Sequence, residues 1–481
     1  MIRTRGFGRR ARATLVAALT IAACLVVLTA ANPVHAASTF FVNSTKDGVD
    51  RVDNNPGNGE CWTGVNILHD EGFIEKECTL RAAMQEANAF AGADTINFFI
   101  VGSEDSNCNA TTNVCTISPT TKLPTITRPL TIDGYSELMG ASVNTATTGT
   151  NAVLKIVLDG SKAGSSPSAP ADGLYVTARN STVRGLVINN GFRAGVVFDE
   201  ETPSDRGRTL EGCFIGTDVL GTSAKGNGGG VIIDDGEGNV IGGATLAARN
   251  LISGNNDTGV FVSEAATGNS LQGNLIGTKK DGTTALGNRT GIHIVGGSNN
   301  TIGGNGAARN TIAFNRFHGV QVQGTVEPNS GTGNRILFNS IYNDDGLGIQ
   351  LGAEGGTGVT LNDPDDPDTG PNTLQNFPGI SSAVTFGAST TINGGLNSTP
   401  NSTFTIQFFS SPAPDPSGFG EGKIFIGQTS VTTNSNGNRS FTFVPAQKVP
   451  VGWRITATAT GVGGTSEFSR ARLVERPVIE G

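Results

Sequence analysis

Phe214-Ile-Gly-Thr-Asp-Val-Leu-Gly-Thr-Ser-Ala-Lys-Gly-Asn227 returns as Leu275-Ile-Gly-Thr-Lys-Lys-Asp-Gly-Thr-Thr-Ala-Leu-Gly-Asn288. Asn239-Val-Ile-Gly-Gly243 returns as Asn300-Thr-Ile-Gly-Gly304, and Ala247-Ala-Arg-Asn-Leu-Ile-Ser-Gly-Asn255 as Ala307-Ala-Arg-Asn-Thr-Ile-Ala-Phe-Asn315. The offset is 61 residues at Ile215/Ile276 and Ile241/Ile302, and 60 at Asn250/Asn310. Self-similarity at a fixed period marks a stacked architecture, in which each unit buries its apolar face only against its neighbours.

The pattern inside the repeat selects the kind of stack. Val231-Ile-Ile233, Val260-Phe-Val262, Ile292-His-Ile294 and Val320-Gln-Val322 each place apolar residues two apart, the period of a strand. Gly, Asn and Asp between these bursts supply the positive-φ corners that turn a chain sharply. A unit of about sixty residues divides into three coils of roughly twenty, and the fold expected is all-β: a right-handed parallel β-helix, or solenoid. Thr267–Gly277 also aligns with Thr332–Tyr342, which puts Asn274 and Asn339 at equivalent corners, with Cys213 in the Asn place of an earlier copy. Stacked Asn side chains hydrogen-bond up and down such arrays, so these asparagines read as structural.

The ends of the chain differ from its middle. Residues 1–36 carry five Arg, an apolar run from Ala13 to Ala31 and the small-residue site Val34-His-Ala36, the pattern of a secretory signal. Without it, 28 basic residues face 41 acidic ones, a balance that disfavours nucleic acid as partner. No later stretch reads as a membrane span, so a secreted or cell-surface protein is expected. Cys61, Cys78, Cys108 and Cys115 follow the signal closely. Three pairings are open; the local one, Cys61 with Cys78 and Cys108 with Cys115, is favoured. Zinc is the alternative, but the spacing suits no common zinc site and export favours disulfides. Cys213 is expected as a buried free thiol. Thr79–Ala89 is the one convincing helix, with Thr79 as N-cap and Leu80, Ala83, Met84 and Ala87 on one face, suited to plug the end of a β-helix.

Cys78-Thr-Leu-Arg-Ala-Ala83, Glu86-Ala-Asn88, Ala93-Asp-Thr-Ile96, Leu123–Gly134 and Ser181–Ile188 resemble the secreted bacterial proteins that carry a CSLREA motif followed by right-handed β-helix repeats. Thr79 and Ala82 depart from the name-giving motif. The resemblance covers nearly the whole mature chain and implies architecture rather than an activity.

Asn362–Asn372 is acidic and punctuated by proline. Asp363, Asp365, Asp366 and Asp368 before Gly370 gather hard oxygen donors, and calcium is the one cofactor they suggest; a solvated linker is the plainer reading. From Ile380, strands such as Thr403–Phe408 and Trp453–Ala459 alternate cleanly, as in an immunoglobulin-like β-sandwich. The domain division expected is thus a signal to residue 36, a disulfide-bearing cap over 37–125, the β-helix over 126–361, an acidic linker over 362–379 and the sandwich over 380–481.

Catalytic residues are not assigned. Parallel β-helices host pectate lyases and polygalacturonases, which makes a polysaccharide lyase or glycoside hydrolase the alternative function. Asp234-Asp235 and Asp344-Asp345 are paired acids, and His318-Gly319 is present, but no Arg-x-Lys follows. Asp is also favoured at turns for its local hydrogen bonds. Lys279 and Lys280 lack an evident acidic set, and His293 reads as an exposed strand position. The leading expectation is a structural or adhesive rod that binds glycan, cell wall or surface proteins.

Overall fold

The computed structural model describes residues 37–477 apart from 167–168, 201–205, 328–329 and 353–357; the expected signal segment lies outside the described residues. The middle of the chain is a parallel β-helix with three faces. The first face runs from Thr39–Val42 and Asp94–Phe98 through Leu130–Asp133 to Arg335–Ile336. The second includes Ile156–Asp159, Leu186–Asn189, Phe214–Ile215 and Leu275–Ile276, ending at Ser340–Tyr342. The third runs from Leu174–Val176 through Gly229–Asp234, Thr258–Val262 and Thr290–Val295 to Ile349–Leu351. Register stacks like on like. Ile96, Ile132, Val183, Leu210, Ile241, Leu271, Ile302 and Ile336 form one inward column, none more than 3% exposed.

The coil count differs from the sequence expectation. Ile241, Leu271 and Ile302 occupy successive levels, so a coil is about 30 residues and the sixty-residue repeat spans two. The reason is an alternation of corners. After Phe214–Ile215 and Leu275–Ile276 the chain takes 13 residues to reach the third face, and only five after Leu251–Ile252. The first-to-second corner compensates, with two residues at 273–274 and eight at 243–250 and 303–310. Likeness therefore returns only at every second coil.

At the N-terminal end, the helix Leu80–Ala89 lies against the first strands with Leu80, Ala83, Met84 and Ala87 buried. Thr79 caps it, its hydroxyl accepting from the Ala82 N–H at 3.2 Å. Arg81 is paired with Asp47 at 2.8 Å, and Asn88 holds the Thr125 carbonyl and Thr127 amide. Arg81 and Asn88 are clips between the helix and its surroundings. Disulfides join Cys61 to Cys78 and Cys108 to Cys115, which places folding in an oxidising compartment outside the cytoplasm. Cys213 is a buried free thiol.

Beyond the helix, Gly379–Phe386, Ser389–Asn397 and Asn438–Phe443 form one antiparallel sheet, and Ile424–Thr432, Thr403–Ser411, Arg454–Gly461 and Gly464–Thr465 another. Phe404, Ile406, Phe408, Ile392 and Phe441 fill the core between them. The opposite side of Thr403–Ser411 turns toward the β-helix, where Phe409 and Phe468 join its apolar core.

This module seals the last coil. A terminal strand presents a row of unpaired N–H and C=O groups. Here the Ile336 N–H donates to Thr465 Oγ1 (2.9 Å), Phe338 N–H to Gln407 Oε1 (3.0 Å) and Leu351 N–H to Glu467 Oε1 (2.9 Å). Ile341 and Gly422 exchange two backbone bonds at 3.0 Å. Glu421 receives the N–H groups of Asn343 and Asp344. All three faces end on acceptors from the module.

Candidate functional site

The acidic segment after the last coil folds back on itself. Asp363, Asp366 and Asp368 bring one carboxylate oxygen each to within 4.8 Å of the others. Asp366 is buried and fixed: Gln375 Nε2 donates to it at 2.8 Å, and the Asn376 N–H and the Ser398 hydroxyl also donate. Asp363 Oδ1 and Asp368 Oδ1 are buried without a hydrogen-bond partner. Burial, then repulsion from Asp363 and Asp366, pushes the Asp368 carboxyl up to about 6; burial likewise raises Asp366. Asp365 stays out of the cluster. It is exposed, and its N–H donates to Asn397 Oδ1 at 2.8 Å. Asp365 and Asp366 both have positive φ, a conformation Asp tolerates better than most residues, and this local path separates Asp365 from the other three. The segment is bound to the following sheets, because Asn376 holds the carbonyls of Asp363 and Asn397.

The other candidate residues do not converge. Asp234 ends a third-face strand in the open, and Asp235 sits at positive φ in the next turn, where its N–H donates to Ser263 Oγ. Asp344 is buried at the helix end, its Oδ1 accepting from Asn315 Nδ2 at 2.8 Å, while Asp345 is exposed. His318 is buried and its Nδ1 accepts from the Leu347 N–H at 2.9 Å. Burial holds its pKa below the usual range. Lys279 and Lys280 belong to a 13-residue corner whose backbone bonds reach Thr284 and Gly221. The expected exposure of His293 fails. The ring points away from the core but is only 8% exposed, between the edge of Phe261 (5.7 Å between centroids) and Gln323 (3.3 Å). Period two predicts direction and says nothing of the side chains that cover the outer row. Glu421 and Glu467 carried no catalytic or binding signal in the sequence.

Outward on the third face, Tyr175, Val197, Ile232, Phe261, His293, Gln321 and Gln350 stand in one register row. Tyr175, Ile232 and Phe261 are half-buried, and the Tyr175 hydroxyl donates to Asp199. Arg289 borders the row, paired with Asp257 at 3.4 Å and lying 4.6 Å over the Phe317 ring. A larger recess of about 820 Å³ lies over the second face. Its rim lysine Lys155 is engaged by the Thr112 carbonyl at 2.6 Å.

A family model described as "Periplasmic copper-binding protein (NosD)" matches residues 132–349. No curated protein matches. Among solved structures, the chain is similar to the periplasmic alginate epimerase AlgG at 16% identity over 49% of this chain, with a TM-score of 0.20; it spans 56% of that protein's length. It is also similar to the enzymatically active domain of bacteriophage CBA120 tailspike protein 2, at 13% identity over 81% of this chain and 73% of that one, with a TM-score of 0.20. Copper does not fit the residues present. Copper sites favour imidazole and sulfur donors, whereas the group of three drawn together among the described residues is Asp363, Asp366 and Asp368, all hard oxygen.

Proposed function

We propose that this chain is an exported structural or adhesive β-helix protein that holds extracellular glycan along its third face. The observation that supports this most is the row from Tyr175 through Phe261 to Gln350. It sets the half-buried rings of Tyr175 and Phe261 along one sheet, with Asp199 and Arg289 beside it. The rings present apolar surface and the flanking charged side chains present polar partners, the combination that orients a polar ligand on a mostly apolar floor. Against hydrolysis stands the engagement of the acids: Asp344 serves the corner stack and Asp235 a turn. The Cys78–Ala83 stretch supports reading the chain as a CSLREA-motif protein, with residues 1–36 as its secretion signal. The test is incubation of the mature protein with a panel of acidic and neutral polysaccharides, with and without calcium. Retention without product is expected, weakened about tenfold by Phe261→Ala, equal to ~1.4 kcal/mol. Release of unsaturated or reducing ends would sink the reading, as would equal retention of the Phe261→Ala variant.

Calcium is a second element, favoured by the orphaned Asp363 Oδ1 and Asp368 Oδ1 beside Asp366. Three carboxylates match the oxygen preference of that ion. Calorimetric titration should give heat that Asp366→Asn abolishes. If calcium gives no heat and chelation leaves the melting temperature unchanged, the seat does not exist.

A further inference from the structure

Three corners of the β-helix carry side-chain ladders. Asn239, Asn269, Asn300 and Asn334 form one, and Asn250, Asn274, Asn310 and Asn339 a second. The third comprises Asn227, Asn255, Asn288 and Asn315. The interior rungs work in the same way. In them Oδ1 accepts from the main-chain N–H and Nδ2 of the rung below, and Nδ2 also donates to a main-chain carbonyl, as Asn255 does to Ile215 and Asn288 to Ile252; the first rung of the third ladder, Asn227, donates to Ile188, but its Oδ1 is buried without a partner. The first ladder closes on Asn372, donating to the Asn334 carbonyl at 2.9 Å, and the second on Asn339, donating to Ile302 at 2.8 Å.

The third ladder closes on Asp344, and there the rule breaks. Its Oδ1 accepts from the Asn315 N–H (2.9 Å) and Nδ2 (2.8 Å), as a rung should. The atom that stands where other rungs have a donating amide is Oδ2, buried and without a partner. A carboxylate has no hydrogen to offer, whereas a protonated carboxyl has the shape and the donor of a carboxamide. Natural sequences break a local rule chiefly where function asks for it.

We propose that Asp344 is a proton-dependent rung, and that the joint between the β-helix and the C-terminal module is sealed while Asp344 is protonated and loosens as the pH rises. Its surroundings are acidic. Asp345 lies on its own turn, and Glu421 and Asp415 come from the module; Lys423, set 4.3 Å over the Tyr342 ring, is the cation lining the recess of about 420 Å³ they share. Burial first, then repulsion from Asp345 and Asp415, holds the Asp344 carboxyl above the ordinary range, and burial with repulsion from Asp344 does the same to Glu421. We place the proton on Asp344, whose buried Oδ2 has no partner, whereas each oxygen of Glu421 is taken by a main-chain N–H. A carboxyl held above its unfolded value stabilises fully below the ordinary carboxylate range, and that contribution is lost as pH rises through the raised value. When Asp344 ionises, it faces Glu421 across the bonds that dock the module.

Hydrogen exchange on the full mature chain, corrected for the intrinsic pH dependence of exchange, tests this. In the wild type, protection of the amides of Ile341, Asn343 and Asp344 should fall about tenfold or more between roughly pH 6 and 9, the fall expected where the sealed joint holds the proton about ten times more tightly than the loosened one. Asp344→Asn supplies a permanent donor, and its protection should fall clearly less than that of wild type across that range, what remains coming from Glu467 in the same joint. An equal fall in wild type and Asp344→Asn overturns the proposal. Should the variant fail to fold, infrared difference spectra of the wild type with labelled aspartate decide it. A protonated Asp carboxyl persisting at neutral pH and titrating with the loss of protection supports the proposal, and none at neutral pH overturns it.

Discussion

Asn300 lies in the middle of the first ladder and is fully buried. Its Oδ1 accepts from the Asn269 N–H (2.9 Å) and Nδ2 (3.0 Å), and its Nδ2 donates to Asn334 Oδ1 (3.0 Å) and the Ala266 carbonyl (3.3 Å). Asn300→Ala orphans the Asn269 N–H, one Asn269 amide hydrogen and the Ala266 carbonyl. The Asn334 oxygen keeps one donor, the Asn300 N–H at 3.1 Å. A buried group left without a partner costs about 1–3 kcal/mol, so three give roughly 4 kcal/mol after some relaxation. That is a large share of the ~5–15 kcal/mol typical of a folded domain. Because each coil touches only its neighbours, the damage should concentrate between residues 269 and 334. Asn300→Asp should be as harmful at neutral pH, since its second oxygen would face two acceptors, and should recover in acid. Equilibrium urea unfolding provides the measurement, with the exposed Asn256→Ala as a control expected within ~0.5 kcal/mol of wild type. If Asn300→Ala unfolds within ~1 kcal/mol of wild type, the ladder does not hold the stack.

Removal of the Cys61–Cys78 bridge, which closes a separation of 17 residues, should cost about 3 kcal/mol, and limited proteolysis should then cut the N-terminal cap before the β-helix. Burial pushes the Glu467 carboxyl from 4.5 up to about 7. Its contribution is therefore complete below pH ~4.5 and lost as pH climbs through ~7, about 3 kcal/mol in all. Melting temperature followed against pH should fall over that window, and Glu467→Gln, which keeps only one acceptor for the two N–H groups of Leu351 and Thr360, should start lower and run flatter. At Gly134 an added Cβ would lie 2.2 Å from the Gly185 carbonyl oxygen. Gly134→Ala should cost about 3 kcal/mol through overpacking, against ~1–2 kcal/mol for Gly268→Ala, which meets nothing within 4 Å and pays only for its positive φ; denaturant midpoints compare the two.

The inward columns were legible because Ile241, Leu271 and Ile302 keep strand period and each meets a similar residue above and below. The coil length was not, because the repeat counts corners as well as strands, and the 13-residue corner recurs only at alternate levels. The asparagine ladders could be read because an amide that both donates and accepts is the side chain that can repeat along a stack. Of the four aspartates, three gather and Asp365 does not, an outcome decided by two positive-φ residues that spacing along the chain cannot reveal. Glu421 and Glu467 were invisible for a different reason. Their partners lie 77 and 116 residues away, and a lone glutamate carries no local pattern that points to a strand end so distant.

The two ends of the stack are closed by opposite means, and the difference bears on where the molecule can respond to its surroundings. The N-terminal end is covered by an apolar helix face pinned through Cys78. Neither hydrophobic contact nor a disulfide answers to pH, although Glu86 on the same helix is a buried carboxyl whose pKa burial raises. At the other end Thr465, Gln407, Glu421 and Glu467 receive the N–H groups of the last strands. Polar closure of this kind is directional, which suits a module that must dock in one orientation. It also leaves carboxyls where burial opposes charge. Between the ends, ladder amides and turn aspartates are engaged in holding the stack. The joint couples titrating carboxyls to the contact between the β-helix and the module, which makes it a place where a change in medium would alter that contact.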